Sequence, residues 1–116
     1  MRIAAIMGLL AVALGAFGAH ALKDTLARSP NGTALWEKAV FYHFIHAVML
    51  FVLATRKPLK RISWFGFLTG IILFSGSLYL YAVTGTHWLV ALTPIGGVCF
   101  MVGWVCLILS PPVEGN

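Results

Sequence analysis

The sequence predicts an all-α fold, an integral membrane bundle of four helices, and three observations carry that expectation. Of 116 residues, 60% are hydrophobic and 9% charged, against roughly 25% charged in soluble domains. A soluble fold this small could not hide that much apolar surface. Four segments, 3–22, 39–55, 62–83 and 88–109, contain no Asp, Glu, Lys or Arg. The uncharged run from Ile62 to Val113 is too long for one crossing: as a single helix it would reach about 78 Å at ~1.5 Å per residue, against a hydrocarbon core of ~30 Å. It must turn back, and Thr84-Gly85-Thr86-His87 is the polar break near its middle. Continuous apolarity selects helices, because the strands of a membrane barrel alternate. The chain is expected to form a single transmembrane domain over residues 1–116.

The first segment, after Met1-Arg2, ends in Ala19-His20-Ala21 and so resembles a secretory signal with its cleavage site. Its apolar stretch outlasts the usual ~7–15-residue signal core, and the segment reads as a retained span. The helix is expected to run on through residues 22–28, where Asp24 and Arg28 stand at i, i+4. Ser29-Pro30-Asn31-Gly32 then makes a turn. Thr33 is the expected N-cap of the second helix, with Glu37 near its positive end. Trp36 and Trp88 suit the outer aromatic belt and Trp64 the inner one. In the fourth span Pro94 cannot donate to the carbonyl of Val90, which predicts a kink there. Pro111 and Pro112 stop that helix, and Glu114 is the charged residue of the tail.

Small residues predict where the spans touch, since close backbone approach replaces the hydrophobic drive in lipid. Ala11, Gly15 and Ala19 form one such stripe, Gly66 and Gly70 a second, and Gly96, Cys99, Gly103 and Cys106 a third. Cys99 and Cys106 are seven helical residues and ~10 Å apart, too far for a disulfide with each other.

The net charge of +5 does not point to nucleic acid, because no basic stripe with interleaved aromatics appears. Half of the basic residues sit in one connector, Arg56-Lys57-Pro58-Leu59-Lys60-Arg61. Basic short loops favour the cytoplasmic side, which puts Arg2, this connector and the tail inside, and Lys23, Arg28 and Lys38 outside.

With these boundaries all four histidines fall near the outer face: His20 ends the first segment, His43 and His46 come early in the second, and His87 lies between the third and fourth. Ionisable groups at membrane depth face the bundle, a cavity or the interface. His43 and His87 read best as structural or interfacial. His20 and His46 are the pair open to a functional role. A proton relay or polar-ligand pocket needs only His20, His46 and a tyrosine, and ranks ahead of a metal site drawn from His20, His43, His46 and Asp24 or a haem with one axial histidine from each of two helices. No phosphate loop, nucleophile elbow or zinc-protease helix appears.

Four motifs in order cover nearly the whole chain: Gly15-Ala16-Phe17-Gly18-Ala19-His20-Ala21-Leu22-Lys23; Ala39 through Tyr42 to His46-Ala47; Ser75-Gly76-Ser77-Leu78-Tyr79; and Thr93-Pro94-Ile95-Gly96-Gly97 with Gly103-Trp104. Together they resemble the YgdD-like small bacterial inner-membrane proteins, a domain of unknown function. The resemblance implies four spans and no established activity, and it places His20, His46, Tyr79 and Pro94 in the motifs, the candidate ligand-binding residues. His43 stands where glutamine is expected in many members, which argues against an obligatory ligand there.

The expected protein is therefore a non-enzymatic accessory, scaffold or lipid- or protein-binding subunit of the bacterial inner membrane, multi-pass, with both termini cytoplasmic. A small transporter or channel using the outer polar site and Pro94 is the alternative, and a haem- or metal-bearing redox subunit ranks third. No cofactor, metal or catalytic residue is expected. The expected partners are membrane lipids, with a second copy of the chain or another membrane protein beside them, and no nucleic acid.

Overall fold

The structure, a computed structural model, describes residues 1–111. It is helical throughout: α1 (Arg2–Ala19), α2 (Lys23–Ala27), α3 (Gly32–Ala54), α4 (Arg61–Thr84) and α5 (His87–Leu109). Among the described residues there is no strand. α1, α3, α4 and α5 are each long and apolar enough to cross a membrane, which gives the four expected spans with shifted ends.

α1 stops at Ala19 instead of running through to Arg28, and His20 leaves the helical region at φ −124°, ψ −79°. The chain restarts as the short α2, which buries Leu26 against Trp36 and Ala82. Burying a leucine is worth ~1.5–3 kcal/mol, whereas the Asp24–Arg28 pair of a continuous helix would add only ~0.2–0.5 kcal/mol. Burial of Leu26 prevails, and no Asp24–Arg28 bridge forms among the described residues. The α2–α3 connection is tight enough that a Cβ on Gly32 would strike the Leu26 carbonyl.

α3 begins at Gly32, well before its uncharged segment, so Thr33, Glu37 and Lys38 are already helical. Asn31, and not Thr33, holds the N-cap position, without a side-chain cap bond. With that start His43 is at the middle of α3 and His46 lies about 21 Å along the axis from Gly32 at ~1.5 Å per residue, and both are buried within the bundle.

α4 is one continuous span that widens into π-helix over Ile71–Ser75, between Gly70 and Gly76. It ends at Gly85, whose φ of +70° is left-handed and suits a residue with no Cβ; the Gly85 N–H closes on the Tyr81 carbonyl at 2.8 Å. α5 opens as a 3-10 turn over His87–Ala91 and becomes α-helical at Leu92. Pro94 thus falls in the first α-helical turn, where N–H groups have no intrahelical acceptor anyway. The position of the expected kink thus directly follows a change from 3-10 to α winding at the entrance of the span. α5 ends at Leu109, with Ser110 and Pro111 following. The second stop expected at Pro112, and Glu114 with the tail, lie outside the described residues.

The spans pack in sequence order: α1 on α3, α3 on α4, α4 on α5, with α2 against α3 and the end of α4. The backbone of α1 approaches neither α4 nor α5, and the cross-section is oblong, 26 × 17 Å. The α4–α5 seam is tight, and the two predicted glycine stripes build it. A Cβ on Gly66 would lie 3.1 Å from the Cys99 carbonyl, one on Gly96 would strike the Phe74 backbone, and one on Gly103 would meet the Phe67 ring. Hydroxyls tie the spans as well: Ser63 donates to the Gly103 carbonyl at 2.7 Å, Ser75 donates to the Ala39 carbonyl at 2.8 Å, and the Ser77 and Thr93 hydroxyls share a bond of 2.6 Å.

Two of the three tryptophans assigned to interfacial belts are buried. Trp36 donates to the Leu14 carbonyl at 2.8 Å and Trp64 to the Leu50 carbonyl at 3.2 Å, so their N–H groups find partners between helices instead of at headgroups. Trp88 is exposed, as a belt residue should be. Cys99 and Cys106 are half-buried free thiols.

Candidate functional site

The polar groups within the bundle centre on two histidines one turn apart on α3. His46 donates from Nδ1 to the Tyr42 carbonyl at 2.7 Å, and its Nε2 accepts from Trp104 Nε1 at 3.1 Å. Those two partners fix the neutral tautomer with the proton on Nδ1. The ring stacks on Phe100 with centroids 3.7 Å apart and planes 12° apart, and meets Phe67 edge-on at 5.2 Å. His46 therefore joins α3 to α5, with both nitrogens occupied. To ligate an iron or metal, or to pass a proton, it would have to give up one of these bonds.

His43 is the less satisfied of the two. Its Nδ1 lies 2.8 Å from the Tyr79 hydroxyl, and its Nε2 is buried without a partner. If the hydroxyl donates, Nε2–H is unpaired; if Nδ1–H donates, the Nε2 lone pair is. One polar group stays orphaned in either tautomer. Tyr79 also packs against Trp36, with ring centroids 4.7 Å apart.

The four residues singled out from the sequence are thus not one cluster. Tyr79 belongs with His43, a residue expected to be structural, and His46 belongs with Tyr42, Phe100 and Trp104. His20 is exposed in the α1–α2 link, and Pro94 is exposed at the start of α5. The pairing of His20 with His46 is not formed. Nor do His20, His43, His46 and Asp24 converge: among the described residues no three of His, Cys, Asp or Glu stand close enough to hold a metal ion. His87 is exposed beside Tyr81.

A large concavity lies elsewhere, on the outside of the α1–α3 seam. It is an open groove of about 770 Å³. Ala11, Gly15, Ala16 and Ala19 of α1 form one wall, and Val40 and Phe44 are on the α3 side. Small residues on α1 opposite large ones on α3 leave the space, and Gly18 seats the Trp36 indole, which a Cβ there would strike. Along α3 the lining runs from Thr33 to Ile45, about 18 Å of helix; the apolar part beyond Glu37 is about 12 Å, against ~15 Å for one leaflet's hydrocarbon. Polar side chains gather at one end only: Lys23, Thr33 and Glu37. Sequence reasoning misses the groove. Its one trace there is the Ala11-Gly15-Ala19 stripe, which holds Ala11 buried and sets Gly15 where an added Cβ would lie 3.4 Å from Val40, but leaves Ala19 open.

Comparison with known proteins places this architecture. The family described as "Protein of unknown function (DUF423)" matches residues 14–97. The UPF0382 membrane protein of Staphylococcus epidermidis is 43% identical over 110 residues, covering 91% of this chain and 88% of that protein. The UPF0382 membrane protein YwdK of Bacillus subtilis is 41% identical over 114 residues, covering 91% and 89%. That of Haemophilus influenzae is 34% identical over 111 residues, covering 92% and 88%. No solved structure matches. The match spans all four candidate motifs at least in part, and the relatives extend it to most of the chain: this protein belongs to the DUF423 family of small membrane proteins, whose biochemical role is not established.

Proposed function

We propose that the protein is a non-enzymatic accessory subunit of the bacterial plasma membrane that holds a lipid chain in the α1–α3 groove. The observation that carries this reading is the groove itself. It is apolar over about 12 Å, most of one leaflet's ~15 Å, and polar at one end, the profile of an amphiphile standing in a membrane. The buried histidines fit a structural role beside it, because His46 has both nitrogens bonded and cements α3 to α5.

In this reading the basic connector of residues 56–61 faces the cytoplasm, in line with the bias of short basic loops. Both termini are then cytoplasmic, and the polar end of the groove opens at the outer surface.

The test is native mass spectrometry of the protein released from mild detergent, comparing the natural chain with Ala16→Trp. Ala16 lines the groove and is exposed, so the larger ring fills the space without entering the core. Ala5→Trp, exposed on the same helix outside the groove, is the control. The natural chain and the control should carry one tightly retained lipid, and Ala16→Trp should lose it. Equal retention by all three would overturn the assignment.

A further inference from the structure

The end of the groove carries two charges of opposite sign. Lys23, the first residue of α2, and Glu37, one turn beyond Thr33 on α3, both line it. Both are exposed, and among the described residues no ion pair joins them. The break at His20 is what brings Lys23 there: α2 folds back over α3 to bury Leu26, where a continuous α1 would carry Lys23 onward. One rim thus presents an ammonium and a carboxylate around a neutral hydroxyl, Thr33, above a purely apolar trough.

We infer, resting on the lipid-binding reading above, that this rim reads a zwitterionic phospholipid headgroup with a primary amine. The phosphodiester would lie against Lys23 and Thr33, and the headgroup ammonium against Glu37. The physical argument is charge matching at the rim. A headgroup carrying only negative charge answers Lys23 and leaves the Glu37 carboxylate repelled. One carrying both signs answers both. The distinction between amines follows from donor count. A primary ammonium offers three N–H donors to a carboxylate, and such charge-assisted bonds are roughly twice as strong as neutral ones. A trimethylated ammonium offers none, so it retains the Coulomb attraction and forfeits the bonds. The acyl chain beneath supplies affinity without preference, because lipid tails are alike to Phe44 and Val40; discrimination falls to the rim.

The experiment is a competition among lipids for the purified full chain in mild detergent, read by native mass spectrometry. The probes are phosphatidylethanolamine, phosphatidylcholine and phosphatidylglycerol with identical acyl chains. The natural chain should retain phosphatidylethanolamine roughly ten-fold better than either of the others, the factor that corresponds to one such set of bonds. Glu37→Gln should erase the preference over phosphatidylcholine. Lys23→Gln should weaken all three lipids together, since each carries the phosphodiester. Both residues are exposed at the rim, and helicity by circular dichroism checks that the variants fold; the competition on the natural chain decides the matter even if they do not. If the three lipids compete equally yet all depend on the open groove at Ala16, the headgroup inference falls and the groove stands. A preference for phosphatidylglycerol also overturns the headgroup inference. If retention ignores Ala16→Trp, both readings fall together.

Discussion

His43 and His46 sit one turn apart on the same helix, yet their partners answer different needs, and substitutions should separate them. Trp104→Phe keeps an aromatic ring over Phe67 and His46 but withdraws the donor to Nε2. Interhelical bonds in membranes average ~0.6 kcal/mol and reach ~1.7 kcal/mol, so the variant should unfold with a loss of about 1 kcal/mol in mild detergent. Tyr79→Phe should cost a similar amount, because it leaves both nitrogens of His43 unpaired. Adding His43→Leu to Tyr79→Phe should then restore stability in part, since replacing both partners by apolar groups removes the unpaired polar atoms altogether. Thermal unfolding of the two singles and the double gives the coupling; simple addition of two losses would contradict the orphaned Nε2.

At the scale of elements, the glycines of α5 give a sharp contrast between neighbours. A Cβ on Gly96 would run into the backbone of Phe74 and Leu73, which no side-chain rotation can relieve. A Cβ on Gly97 would rest 3.8 Å from the edge of the Phe74 ring, an ordinary contact. Gly96→Ala should therefore destabilise by about 1–3 kcal/mol as an overpacked seam, while Gly97→Ala should be neutral or gain a few tenths from helix propensity. Unfolding midpoints of the two variants check this.

Small-residue spacing makes the α4–α5 seam legible in the sequence, and the absence of charge over four segments does the same for the spans, because lipid excludes charge over a fixed length. Ends are less legible. Thr33, Glu37 and Lys38 are as compatible with helix beyond the hydrocarbon as with loop, and only the packing of Leu26 under Trp36 decides that α1 breaks and α3 starts early. The π-helical stretch Ile71–Ser75 is not visible at all, since a wider hydrogen-bond register leaves no mark in residue type. A π-turn holds more residues than an α-turn, so an α-helical wheel drawn from the sequence misplaces the face of Tyr79 beyond it. The site is hard to read for the same reason: a second span starting at Ala39 makes His46 look shallow, and only the start at Gly32 puts it in the middle of the bundle.

For the whole molecule, four crossings fix which loops share a side. In a chain with Cys99 and Cys106 replaced by alanine, single cysteines at Asp24 and Thr86 should react with a membrane-impermeant maleimide from one side, and one at Lys57 only from the other. A result placing Asp24 and Lys57 on the same side would break the four-span reading. The close backbone approaches all join spans adjacent in sequence, so the structure also has an order in time. As the chain is synthesised, α3 can settle on α1 and α4 on α3 while the rest is still to come. His46 enters the membrane with its Tyr42 bond already available within α3, but its second partner, Trp104, is encoded 58 residues later. Until α5 arrives, α3 carries a polar nitrogen with no donor in an apolar surrounding. The last span to be made thus completes a bond begun by the second.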